Sequence, residues 1–160
     1  MEVNGYKIEP GAQLVGAILD STDLSKVDLE GANLVGARLN CVLVGANLRG
    51  ANLTGAIFNG AYLMSADLSD ANLSSCDLNG INLGGADLEN ANLTNASLFM
   101  AFLEDANLTN ANLTNANLTN AYMSNAKLCR AVLLGATWVN SIRIGIDLTG
   151  ATMPDGTVHE

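Results

Sequence analysis

Ala106-Asn107-Leu108-Thr109-Asn110-Ala111-Asn112-Leu113-Thr114-Asn115-Ala116-Asn117-Leu118-Thr119-Asn120 is one five-residue unit written three times. The unit, Ala-Asn/Asp-Leu-x-x, spreads from there in both directions. Leucine, or a residue standing in for it, recurs at 14, 19, 24, 29, 34 and 39, and after one four-residue step at 43, 48, 53 and on to 138. A small residue sits two positions before each of these centres, from Ala12 through Cys41 to Ala136.

A step of five fits neither regular element. On an α-helix it rotates the side chain by roughly 140°, so the leucines would spiral around every face. On a straight strand an odd step flips the leucine to the opposite side each time. Within one unit, however, the small residue and the leucine are two apart and share a face in extended chain. The backbone must therefore turn a corner in every unit. Repeated corners wind it into a coil with the small residues and leucines inside. Successive coils then stack as parallel strands at about 4.8 Å, and each unit buries its apolar pair only against its neighbours.

This pattern resembles the pentapeptide-repeat family across residues 12–138. The resemblance implies an all-β fold, a right-handed quadrilateral parallel β-helix with four units per coil. About seven coils then give a rod on the order of 30–35 Å long. The opening Tyr6-Lys7-Ile8-Glu9-Pro10-Gly11-Ala12 resembles cyanobacterial members. The expected core runs through Leu48, Phe58, Leu68, Leu88, Leu108, Leu128 and Trp138. Residues 1–11 are read as an N-terminal cap carried by Tyr6 and Ile8, because an open solenoid end exposes its core. The short step at 39–43 is read as a tightened corner. Residues 139–160 are read as an irregular segment, the last repeat units and a tail. Counting on from Trp138 would put Arg143 inside, so the chain is expected to leave the coil over 139–147.

The chain is 49% hydrophobic but only 4% aromatic, which reads as one soluble domain with a narrow aliphatic core. The net charge of −9 argues against direct nucleic-acid binding, which needs clustered Lys and Arg, and suits a basic protein partner. No apolar run approaches membrane-spanning length, and residues 1–30 lack a secretory signal pattern. A cytoplasmic location follows as the expectation. Cys41 and Cys76 fall at inward small positions on different sides, so a disulfide between them is not expected. Cys129 should point outward.

A weaker twenty-residue period marks the outside. On the side built on Leu43, Leu63, Leu83, Leu103 and Met123, the outward residues before the centres are Val42, Tyr62, Asn82, Phe102 and Tyr122. Met64 follows a centre on this side, and Phe99 and Met100 lie at the adjoining corner. An exposed apolar patch of this kind points to an interaction surface, for a partner protein or for self-association. The alternative is an aromatic ladder that only staples neighbouring strands.

The next side carries Asp28, Glu30, Asp67, Asp87, Glu89 and Asp147. Some members of the resembled family mimic DNA with such a stripe and bind DNA gyrase. Those members are longer and dimerise through a C-terminal element for which this chain offers no helix. The plainer reading is a solvated face. A third side, Asn52/Thr54 to Asn112/Thr114, is a flat array able to order water, or side-chain ladders that satisfy corner backbone groups.

No catalytic constellation is found. The single histidine, His159, lies in the tail, and no Cys/His cluster or Gly-rich phosphate loop is present. No cofactor or metal is expected. The reading is a non-enzymatic rod for protein binding or scaffolding.

Overall fold

The computed structural model describes residues 1–160. Helices are absent, and the only extended strands are β1 (Glu2–Val3) and β2 (Tyr6–Lys7). The rest of the chain is held by single parallel bridges. Val42 pairs with Tyr62, Asn47 with Asp67, Asn52 with Asn72 and Ile57 with Asp77, each twenty residues on. The bridges fall into four columns, and each column takes every fourth unit. The chain is a parallel β-helix whose strands are two or three residues wide.

One unit shows why the sequence repeats as it does. Asn92 donates its amide to Ala71 O in the preceding coil (2.9 Å), and Leu93 and Asn95 donate to Asn112 O and Thr114 O in the next (2.7 and 2.9 Å). Ala96 closes the corner onto Leu93 O at 3.0 Å. One amide remains, that of Thr94, and it donates to the Asn92 side-chain oxygen at 3.1 Å. Every backbone donor of the unit is thereby used, which a narrow all-turn structure demands. Asn or Asp before the centre is an Asx turn that supplies this last acceptor. Asn95 takes φ +59 at the second corner position while the first stays negative, the pattern of a type II turn. That requirement explains the Asn and Gly that recur there.

The core holds 51 buried residues and no buried polar or charged one. Leu48, Phe58, Leu68, Leu88, Leu108 and Leu128 are within it. Trp138 is not: it is half-buried against the core's edge, because no further coil covers it. The expectation of a core position there is corrected accordingly.

At the short step the corner loses one residue. Cys41 donates to Leu39 O at 2.7 Å, a three-residue γ-turn in place of the usual four-residue one. Cys41 remains buried, so the inward phase survives. The bridges that straddle the step span nineteen residues, as in Asp23↔Val42, and return to twenty at Val42↔Tyr62.

At the N-terminus β1 and β2 form an antiparallel hairpin across Asn4-Gly5, whose φ values of +52 and +80 are those of a type I′ turn. Ile8 is buried and Tyr6 packs partly on the same cluster.

The path of 139–147 differs from the expectation. The chain does not leave the coil: Tyr122 bridges Ile142, Lys127 bridges Asp147, and Met123 and Asn125 donate to Ile142 O and Ile144 O at 2.8 Å. Arg143 does occupy the centre position, but it is exposed. This is the terminal coil, so a centre there faces solvent rather than another leucine. The Arg143 guanidinium lies 4.6 Å from the centroid of the Trp138 ring and covers it as a cation–π contact. The tail then turns at Pro154–Gly156 and returns beside the last unit, with Thr152 and Val158 bridged antiparallel.

Candidate functional site

The column Asp23, Val42, Tyr62, Asn82, Phe102, Tyr122, Ile142 gathers apolar side chains where the other columns carry mostly polar ones. Five of its seven residues are apolar or aromatic, against two of seven in the column from Ile18 and none in the column from Asp28. Met64 lies at the corner that follows, and Phe99 and Met100 at the corner before. Tyr62, Met64 and Phe102 are exposed at 54%, 44% and 40%. Tyr122 and Val42 are half-buried. Ile142, Ile144 and Val139 extend the patch and are exposed. Sequence reading missed them because it took the chain out of the coil. The signal was present: Ile142 is twenty residues beyond Tyr122.

These apolar residues displace the Asx acceptor. The amides of Met64, Glu104 and Ser124 find no acceptor in the protein, whereas the amide of Gly84, in the same column, donates to Asn82 Oδ1 at 3.1 Å. Met100 adds a second local cost, a φ of +57 where Gly or Asn usually stands. Phe102 and Tyr122 stack with centroids 5.0 Å apart and planes 6° from parallel. Tyr62 joins no stack, since Asn82 separates it from Phe102.

Asp28, Asp67, Asp87 and Asp147 share a column with Asn47, Asn107 and Lys127, and Glu30 and Glu89 stand at the corner after it. The aspartates serve the backbone as asparagine does elsewhere. Asp67 accepts the Ser69 amide and hydroxyl at 2.9 and 2.6 Å, and Asp87 accepts the Glu89 amide and Asn107 Nδ2 at 3.0 Å each. Asp67, Asp70, Asp87 and Glu89 surround one shallow hollow with Arg49, which pairs with Asp70 at 3.4 Å. The Cys129 thiol, with the Thr149 amide and hydroxyl, holds the Asp147 carboxyl down to about 2. The same contact pushes the half-buried Cys129 thiol up, which makes it a poorer nucleophile. Burial raises Cys41 and Cys76 to about 11, and all three cysteines are free.

On the third side, Asn52, Asn72, Asn92 and Asn112 accept the amides two residues on at 3.0–3.2 Å. Asn92 also donates to Asn72 across coils at 3.2 Å. The array is spent on the backbone. No three His, Cys, Asp or Glu side chains converge as a metal site would require. No helix is long and apolar enough to cross a membrane.

The repeat, its Asx-capped corners and the parallel columns define the class, and the chain belongs to the pentapeptide-repeat family. The family profile described as pentapeptide repeats (8 copies) matches residues 11–40, 41–80, 71–110 and 106–137. Among solved structures, the chain is similar to HetL, a pentapeptide repeat protein involved in heterocyst differentiation regulation from the cyanobacterium Nostoc sp. Strain PCC 7120. Identity is 32% over 94% of this chain and 86% of HetL, with a TM-score of 0.57. It is also similar to QnrB1, a plasmid-mediated fluoroquinolone resistance protein, at 22% identity over 91% of this chain and 71% of QnrB1, with a TM-score of 0.65. At that identity the second likeness is one of fold. None of the curated proteins compared matches the chain.

Proposed function

We propose that this chain is a non-enzymatic, right-handed, four-sided rod of about seven coils at strand spacing. It binds or scaffolds protein through its aromatic side, in the cytoplasm. One observation carries the reading: five of the seven residues of that column are apolar or aromatic, and Tyr62, Phe102 and Ile142 among them stay exposed. A contiguous apolar run that stays exposed and gives the corner no acceptor has its use outside the fold. A ladder accounts for Phe102 on Tyr122 but leaves Tyr62, Met64 and Met100 without a purpose. The similarity to HetL, a protein involved in regulation, favours a binding role over a catalytic one.

Replacing Tyr62, Met64, Phe102 and Tyr122 with serine tests this. The variant is expected to fold, to lose self-association in sedimentation, and to lose any partner retained by the wild type in affinity capture. A variant that matches wild type in both assays and merely melts lower would leave the ladder as the whole explanation.

The hollow ringed by Asp67, Asp70, Asp87 and Glu89 favours a second reading, an acidic face that imitates DNA phosphates. Its partner would be the basic groove of a DNA-binding enzyme such as a type II topoisomerase. Such binding weakens steeply with salt. Changing Asp67, Asp87 and Glu89 to amides keeps the Asx acceptors and removes the charge, so inhibition of supercoiling should vanish while the melting temperature holds. No inhibition by wild type at low salt would dismiss this reading.

A further inference from the structure

On the aromatic side, Tyr62, Asn82, Phe102 and Tyr122 are four consecutive rungs of one bridge column. Three of the rungs are rings and one is not. Phe102 and Tyr122, on adjacent rungs, stack at 5.0 Å. Tyr62 and Phe102 stand two rungs apart, about 9.6 Å at strand spacing, which is close to twice a stacking distance. The rung between them is not filled. Asn82 folds back to accept the Gly84 amide at 3.1 Å, and Gly60 and Gly80 present no side chain at the neighbouring corner. A hollow of about 220 Å³ results, lined by Gly60, Ala61, Tyr62, Gly80, Asn82 and Phe102.

Asn82, like Asn52, Asn72, Asn112 and Asn117, leaves its Nδ2 unused, whereas Asn33, Asn47, Asn92 and Asn107 donate theirs to the rung below. The rung below Asn82 is Tyr62, a ring without an acceptor in reach, and Asn82 Nδ2 makes no hydrogen bond in the protein. The hollow thus has two ring walls and one free donor.

We infer that this gap is a slot for one aromatic side chain of a partner protein, presented on a basic loop. Resting on the binding role proposed above, the inference names its chemistry. The inserted ring completes a run of four and stacks on Tyr62 and Phe102 together. A carbonyl beside that ring accepts from Asn82 Nδ2. Glu104 and Asp105, at the corner after Phe102, select lysine or arginine next to the ring, in keeping with the net charge of −9. Stacking between two rings also attracts protonated flanks through the ring faces.

The test uses tripeptide probes and the full chain, with ring resonances followed by NMR. Lys-Trp-Lys should shift the Tyr62 and Phe102 ring signals upfield and saturably, leaving Tyr6 unmoved. Lys-Ala-Lys should shift nothing, and Glu-Trp-Glu should bind about tenfold more weakly, a step of about 1.4 kcal/mol. Asn82→Phe fills the slot with the protein's own ring. It should abolish the shifts at Tyr62 while the melting temperature holds or rises, so loss of binding cannot be loss of fold. Shifts that do not saturate, or that persist in Asn82→Phe, overturn the slot. Full partner retention or self-association by Asn82→Phe, where the four-serine variant shows none, also overturns the slot and leaves the broader binding role standing.

Discussion

Leu108→Asp is expected to unfold the rod. Leu108 has no exposed surface and lies between the Leu88 and Leu128 rungs, whose backbones are tied to it through Asn107 O and Lys127 O. The core contains no buried polar group that could receive a carboxylate. An unpaired charge there is costly, and protonation of the aspartate relieves only part of the cost, because the acid hydroxyl still lacks a partner. A solenoid magnifies the damage. Each coil is stabilised only by its neighbours, so a failed middle coil uncouples the two halves. Leu108→Ala, which leaves a cavity and no charge, should cost about 2–5 kcal/mol. Leu148→Asp should be much milder, since Leu148 is half-buried on the terminal coil. Circular dichroism and thermal melts decide the matter. A Leu108→Asp protein that melts like wild type would mean that the leucines do not form the core.

The contrast between Leu108 and Leu148 also shows what the repeat could reveal in advance. Inward phase is a property of the unit, and a five-residue unit can bury its apolar pair in only one way. That is why Leu48 to Leu128 and Phe58 were readable from spacing alone. Trp138 and Arg143 obey the same phase but not the same environment. Whether a centre is buried depends on the coil beyond it, and at the last coil there is none. Reading Arg143 as forbidden inside was sound for a middle coil and wrong for a terminal one. The candidate site was legible in the same partial way. The twenty-residue coincidence of Tyr62, Phe102 and Tyr122 marked the column, yet the misplaced path hid Ile142 and Ile144. The role of Asn before each centre was also only half visible. Spacing marks it as outward, but its use as acceptor for the amide two residues on emerges only when all five donors of a unit are followed to their acceptors.

That accounting separates two proline substitutions two residues apart. Asn112 donates its amide to Ala91 O at 2.9 Å in the preceding coil, and its side chain accepts the Thr114 amide and hydroxyl at 3.0 and 2.6 Å. Asn112→Pro removes all three bonds and orphans a buried carbonyl, for a total of about 3–5 kcal/mol. At roughly 2–4 °C per kcal/mol for a chain of this size, the melting temperature should fall by about 10 °C or more. Thr114→Pro should be nearly silent. The Thr114 amide takes no part in the inter-coil ladder, and its carbonyl still accepts from Asn95 at 2.9 Å. Thr114 is also the first corner position, where a type II turn holds φ near −60° and proline is favoured. Both prolines of the chain already use this position: Pro10 follows Glu9 in the turn closed by Ala12 at 3.2 Å, and Pro154 follows Met153 and accepts from Gly135 at 3.0 Å. Lost Asx bonding and gained rigidity should leave Thr114→Pro within about 1 kcal/mol of wild type. Equal melting losses in the two variants would mean that the amide after each centre belongs to the ladder, and that the Asx turn is not what fixes Asn in the repeat.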